Sequence, residues 1–228
     1  MTTRVRFFTV VIIASLMALT SAVIAPSAKA DAIDPANDFL GTYQGPQNGD
    51  LDVLSTGAVF NGTSFLFTAT LNGPVGSTVG GFYVWGVNRG NGTAGFASLG
   101  LNNVLFDQVL IVRPNGTNAA LATGTTGGNT LGPGSITFAG NSLSVLVPAS
   151  FLPNNGFTFG QYTINLWPRA SFFPNGTTPL AGNAAISDFA PNNANVQVTS
   201  APEPGSLAFA ALGGIGLVGG VLRRRHKH

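Results

Sequence analysis

Residues 31–200 predict an all-β fold, an antiparallel β-sandwich of roughly eight to ten strands. Three observations carry this. The segment is a succession of short apolar runs broken by turn residues, with no stretch of helical period longer than about two turns. Asn-Gly steps begin at Asn48, Asn61, Asn72, Asn91, Asn115, Asn155 and Asn175 and supply the left-handed backbone that hairpin turns need. The same segment holds 14 phenylalanines, an aromatic load that a disordered Gly-rich tract could not keep in water without associating.

Along the chain, Arg4 and Arg6 precede an apolar run from Phe7 to Ala25, and Ala28-Lys29-Ala30 has the small-x-small pattern of a signal-peptidase site. Residues 1–30 are therefore expected to form a signal peptide with a helix over 7–25, and the exported product to begin at Asp31. The clearest hairpin follows: Asp52 to Phe60, the turn Asn61-Gly62-Thr63, then Ser64 to Leu71. Alternation puts Phe65, Phe67, Ala69 and Leu71 on the packed face and Leu66, Thr68 and Thr70 on the other. Gly81 to Asn88 is apolar on both faces, as a strand central in a layered stack would be, and Val109 to Val112 reads the same way. Ser135 to Ala139, Leu143 to Val147, Gln161 to Leu166 and Asn195 to Thr199 complete the set.

The last segment, 201–228, has three unlike parts. Pro202-Glu203-Pro204 is a short rigid step, Ser206 to Leu222 is a run of 17 uncharged residues, and Arg223-Arg224-Arg225-His226-Lys227-His228 is a basic end. At about 1.5 Å per residue the uncharged run just reaches across a hydrocarbon core of about 30 Å. The basic end would stay cytoplasmic by the positive-inside bias, leaving everything before Pro204 on the far side of the inner membrane. Gly216 and Gly220 form a small-xxx-small pair that lets another helix approach closely.

Once both ends are set aside, the composition of the middle changes sign. Arg89, Arg113 and Arg169 remain against eight acids, Glu203 of the Pro-Glu-Pro step counted among them, a net charge of −5, so the basic character of the whole chain belongs to its ends. Three scattered arginines do not make a phosphate-binding surface, and no nucleic-acid partner is expected. Between residues 31 and 200 there is no Cys, His, Lys or Met. That excludes an imidazole-assisted nucleophile, a His/Cys zinc site and a lysine Schiff base. Carboxylate-pair hydrolysis of sugars needs only two acids, and Asp50 and Asp52 would share a face if that segment were extended. The same pair reads equally as turn chemistry. Without disulfides the core alone must hold the fold, which about 170 residues can do.

The Pro-Glu-Pro step, apolar helix and terminal basic cluster resemble the PEP-CTERM sorting signal of Gram-negative bacteria. Ala201 stands where the family usually has Val. The resemblance covers only this tail. It implies an exosortase as processing partner, besides signal peptidase, with Pro202, Glu203, Pro204, Arg223, Arg224 and Arg225 as the sorting and processing residues. It also implies an inner-membrane-anchored precursor that moves to the cell surface or extracellular matrix, and a role beside exopolysaccharide in biofilm or floc. A permanent membrane anchor is the rival reading.

The opening acids, Asp34 and Asp38 and then Asp50 and Asp52 before a hairpin, resemble the start of carbohydrate-binding and DOMON-type β-sandwiches over about 40 residues. That resemblance implies a calcium ion held by Asp34, Asp38, Asp50 and Asp52; turn-capping by the same residues is the alternative. Tyr83, Trp85 and Trp167 are the residues a sugar would stack on if their faces are open, and core residues if not. The four Asn-Gly-Thr triplets at Asn61, Asn91, Asn115 and Asn175 match a glycan-acceptor pattern and read here as turns. The expected function is that of an exported, non-enzymatic envelope or matrix protein. The alternatives are a calcium-stabilised polysaccharide-binding module and a carboxylate-pair glycoside hydrolase.

Overall fold

The computed structural model describes residues 31–114, 119–122 and 129–201. The signal segment 1–30, the tail from Pro202 onward and the Asn115 turn lie outside the described residues. The compact unit spanning Lys29–Ser200 is all-β and sandwich-like.

Its strands are β1 (Ala32–Ile33), β2 (Val53–Phe60), β3 (Ser64–Leu71), β4 (Gly81–Asn88), β5 (Thr93–Phe96), β6 (Leu101–Phe106), β7 (Gln108–Val112), β8 (Ala119–Ala122), β9 (Ile136–Ala139), β10 (Ser142–Pro148), β11 (Thr163–Ala170), β12 (Val196–Gln197) and β13 (Thr199–Ser200). One sheet runs β1-β2-β3-β10-β9, with β13 also on β2; the second runs β12-β11-β4-β7-β8; β5 and β6 pair as a separate hairpin. Pairing is antiparallel except for β13, which lies parallel to β2 with Thr199 opposite Val59.

The predicted β2–β3 hairpin is present. Phe65, Phe67, Ala69 and Leu71 point into the core, while Leu66 is exposed and Thr68 and Thr70 are half-buried. Opposite them the second sheet contributes Tyr83, Trp85, Val87, Leu110, Val112, Ile164 and Leu166, and the main core lies between the two. Phe65 stacks on Tyr162 at 5.5 Å, and Phe67 meets Trp85 at 5.9 Å. A buried Thr56 hydroxyl accepts from Trp85 Nε1 at 2.9 Å, giving the indole its partner.

The apolar outer face of β4 has a definite cause. The β5–β6 hairpin and the segment around Ile186–Phe189 cover it, making a second core of Val84, Val104, Trp167, Ile186 and Phe189. Trp167 is ringed by Phe96, Phe106 and Phe189 at 5.0, 5.0 and 5.7 Å. Gly86 lies under that indole, where a side chain would collide with it.

The Asn-Gly steps do two different jobs. Gly62, Gly156 and Gly176 adopt the expected positive φ, and the Asn61 and Asn175 side-chain oxygens each accept two backbone N–H groups across their turns. Gly49 and Gly73 do not have positive φ. They pass so close that a Cβ on Gly49 would lie 2.6 Å from the Asn72 carbonyl oxygen, so both glycines are needed for space. This crossing fixes the stretch that carries Asp50 and Asp52.

Candidate metal centre

The β1–β2 edge of the first sheet meets the segment running along β11 at a seam. Asp34 directly follows β1 and is tied in register by its N–H, which donates to the Leu54 carbonyl at 3.0 Å. Four residues on, after a turn in which Asn37 adopts φ 63°, comes Asp38. From the other side, Ser187 and Ala190 donate their N–H groups to Pro168 and Leu166, which pins residues 187–190 against β11. Asp188 in that segment accepts from Val53 N at 2.9 Å through Oδ2 and from Phe189 N at 2.6 Å through Oδ1. One side chain thus links the segment on β11 to the first residue of β2.

These placements bring Asp34, Asp38 and Asp188 together. One carboxylate oxygen from each lies within 4.8 Å of the others. Asp34 is 5% exposed, Asp188 is 0% exposed and Asp38 is half-buried. Asn192 holds two of them, donating Nδ2 to Asp38 Oδ2 at 2.8 Å and its backbone N–H to Asp34. Asp34 Oδ2 and Asp38 Oδ1 are buried with no hydrogen-bond partner, as is Asp52 Oδ1. Buried acceptors are normally satisfied, and buried carboxylates are paired or ligate metals.

The electrostatics follow from the crowding. Burial pushes the Asp34 carboxyl up to about 7, with the neighbouring charges of Asp38 and Asp52 adding to the effect and the Asn192 N–H opposing it. Burial likewise raises Asp188 to about 8, helped by Asp34 and Asp38 and opposed by the N–H groups of Val53 and Phe189. Like charges without a cation between them resist ionising.

Of the four acids expected around a calcium ion, Asp34 and Asp38 are in the cluster. Asp50 is not. It lies in a short 3-10 turn, not an extended strand, and is spent on Thr78, accepting the backbone N–H at 2.8 Å and the hydroxyl at 2.5 Å. Asp52 borders the cluster: its Oδ2 accepts from Asn37 N and Asn72 Nδ2, both at 2.8 Å, and its charge acts on Asp34. Asp50 and Asp52 therefore serve different partners and do not share the face of an extended strand. Asp188 was missed from sequence. Its signal was a lone acid inside the apolar run Ile186 to Ala190, since an acid is almost never fully buried unless paired.

The sugar-stacking expectation is corrected. Tyr83 and Trp85 are 0% exposed and Trp167 is 2% exposed, because Tyr83 and Trp85 fill the main core and Trp167 the core over the outer face of β4, leaving no open ring face. The Tyr83 hydroxyl accepts from Gly76 N at 3.1 Å and is itself enclosed. Among the described residues no helix is long and apolar enough to cross a membrane. The chain matches no family model, no curated protein and no solved structure.

Proposed function

We propose that this chain is an exported, non-enzymatic protein of the cell envelope or extracellular matrix, delivered by its tail and processed there by an exosortase, with a role beside exopolysaccharide. The observation that carries the reading is the layout of the sequence: a signal-like start, a compact β-unit, then Pro202-Glu203-Pro204, an uncharged run and a basic end. The make-up of the unit supports the non-enzymatic part. It has no His, Cys or Lys between residues 31 and 200, and Asp34, Asp50, Asp52 and Asp188 are sealed from solvent. A glycoside hydrolase needs two carboxyl groups reaching a substrate from opposite sides; of the three clustered acids, Asp34 and Asp188 are buried. The polysaccharide-binding alternative loses its stacking platform with the burial of Tyr83, Trp85 and Trp167.

Proline at 202 and 204 favours extended backbone and disfavours helix at those positions, the conformation in which a protease would reach this step. Mass spectrometry of the surface-localised protein tests the reading. The expected product begins at Asp31 and ends near the Pro-Glu-Pro step, and changing Pro202 and Glu203 to Ala leaves the full-length chain in the inner membrane. Surface protein ending intact at His228 would show the tail to be only an anchor.

A further inference from the structure

We propose that Asp34, Asp38 and Asp188 bind one calcium ion, which fastens the segment after β1 to the segment lying along β11. The inference stands on side-chain geometry and not on the export reading.

Two oxygens on opposite sides of one calcium ion, each about 2.4 Å from it, are about 4.8 Å apart. The three carboxylate oxygens all fall within that separation of one another. Orphaned acceptors point independently to a ligand: Asp34 is buried, yet its Oδ2 has no donor, and Asp38 Oδ1 is in the same state. The donor that reaches Asp34 and Asp38 serves their other oxygens, and both Asp188 oxygens accept backbone N–H groups. Asn192 serves Asp34 and Asp38, and Val53 and Phe189 serve Asp188, which orients the carboxylates as supporting hydrogen bonds do in metal sites.

The donor set selects the ion. Three hard carboxylates without Cys or His disfavour zinc and copper and suit calcium, with main-chain carbonyls and water completing six to eight oxygens. Magnesium gives up its water reluctantly and keeps several waters in its shell, which fits poorly beside Asp34 and Asp188, both almost fully enclosed. Asp52, whose charge already acts on Asp34, adds negative potential at the rim.

The test uses the full chain, solubilised in detergent and stripped with EDTA. Titration of CaCl2 by isothermal calorimetry should show one ion per chain, and MgCl2 should bind far more weakly. The buried Trp85 and Trp167 report unfolding, and at a hundredfold excess of calcium over Kd the Tm should rise by about 5–10 °C. Asp38→Asn, at the most accessible position of the three, should weaken calcium binding by about tenfold or more while leaving the metal-free Tm unchanged or higher. No binding at millimolar calcium would overturn the proposal. So would Asp38→Asn lowering the metal-free Tm with the calcium shift intact, since that marks a merely structural carboxylate. Tighter binding of magnesium or zinc would overturn the choice of ion.

Discussion

Gly86 sets two effects of opposite sign against each other. Replacing a strand glycine by alanine ordinarily stabilises by about 0.5–1 kcal/mol, because the unfolded chain has fewer conformations to lose. Gly86 lies in β4 with Trp167 over it, and a Cβ there would be 2.6 Å from both Cη2 and Cζ3 of that indole and 3.0 Å from the Phe106 Cβ. Neither neighbour is a flexible chain end. The indole is clamped by Phe96, Phe106 and Phe189, so the added methyl must displace a packed ring system. Overpacking of this kind costs about 1–3 kcal/mol, and the rigidity of the neighbours places Gly86→Ala at the upper end. After subtraction of the backbone gain the net loss is about 1–2.5 kcal/mol, a fall in Tm of about 2–10 °C for a unit of this size. Thermal unfolding followed by circular dichroism reads this directly. Gly41→Ala, with nothing within 4 Å of its Cβ, serves as the neutral control. Trp167→Phe should recover part of the loss in the double variant, because the colliding atoms are those it removes. A Tm for Gly86→Ala at or above that of the parent would refute the packing argument.

In metal-free solution the raised carboxyls of Asp34 and Asp188 give a stability that is full below about pH 4 and lost as pH rises through about 7 and 8, because the folded state holds protons that the unfolded state releases. Tm measured in EDTA should therefore fall between pH 5 and pH 8.5, and a flat or rising profile would contradict the crowding described. At the far end of β4, Asp107 pairs with Arg89 at 2.9 Å and also accepts from Asn91 N and Asn155 Nδ2. Both partners of that pair are about nine-tenths buried, so Arg89→Ala should cost about 3–5 kcal/mol by stranding the carboxylate, and urea unfolding should show it. Asp107→Asn, which keeps an acceptor, should cost less.

The sequence made some of this legible and hid the rest for physical reasons. The β2–β3 hairpin stands out because alternation and a left-handed turn residue are local properties, and β4 because a short run apolar on both faces is local too. The β5–β6 hairpin does not, because Thr93–Phe96 holds only four residues with a glycine among them, and its worth comes from covering Val84 and Trp167, which lie elsewhere in the chain. The same hidden layer explains the aromatics: the pattern around Tyr83 and Trp85 marks a strand, but not what lies over either face. Asp34 and Asp38 were visible as acids near a turn, whereas Asp188 joins them across 150 residues through contacts no spacing rule encodes.

The close crossing of Gly49 and Gly73 bears on how the protein ages. Asn72 precedes Gly73, the sequence context in which an asparagine amide most readily cyclises and hydrolyses, and its Nδ2 is the donor that quiets Asp52. Conversion of Asn72 to aspartate would replace that donor with another anion facing Asp52 Oδ2, at the border of the acids around Asp34. The tight backbone contact restrains the bending that cyclisation requires. Cyclisation at Asn72 must therefore move backbone packed against Gly49 and Asp50, so conversion of Asn72 is expected to run slower in the folded chain than in the unfolded one.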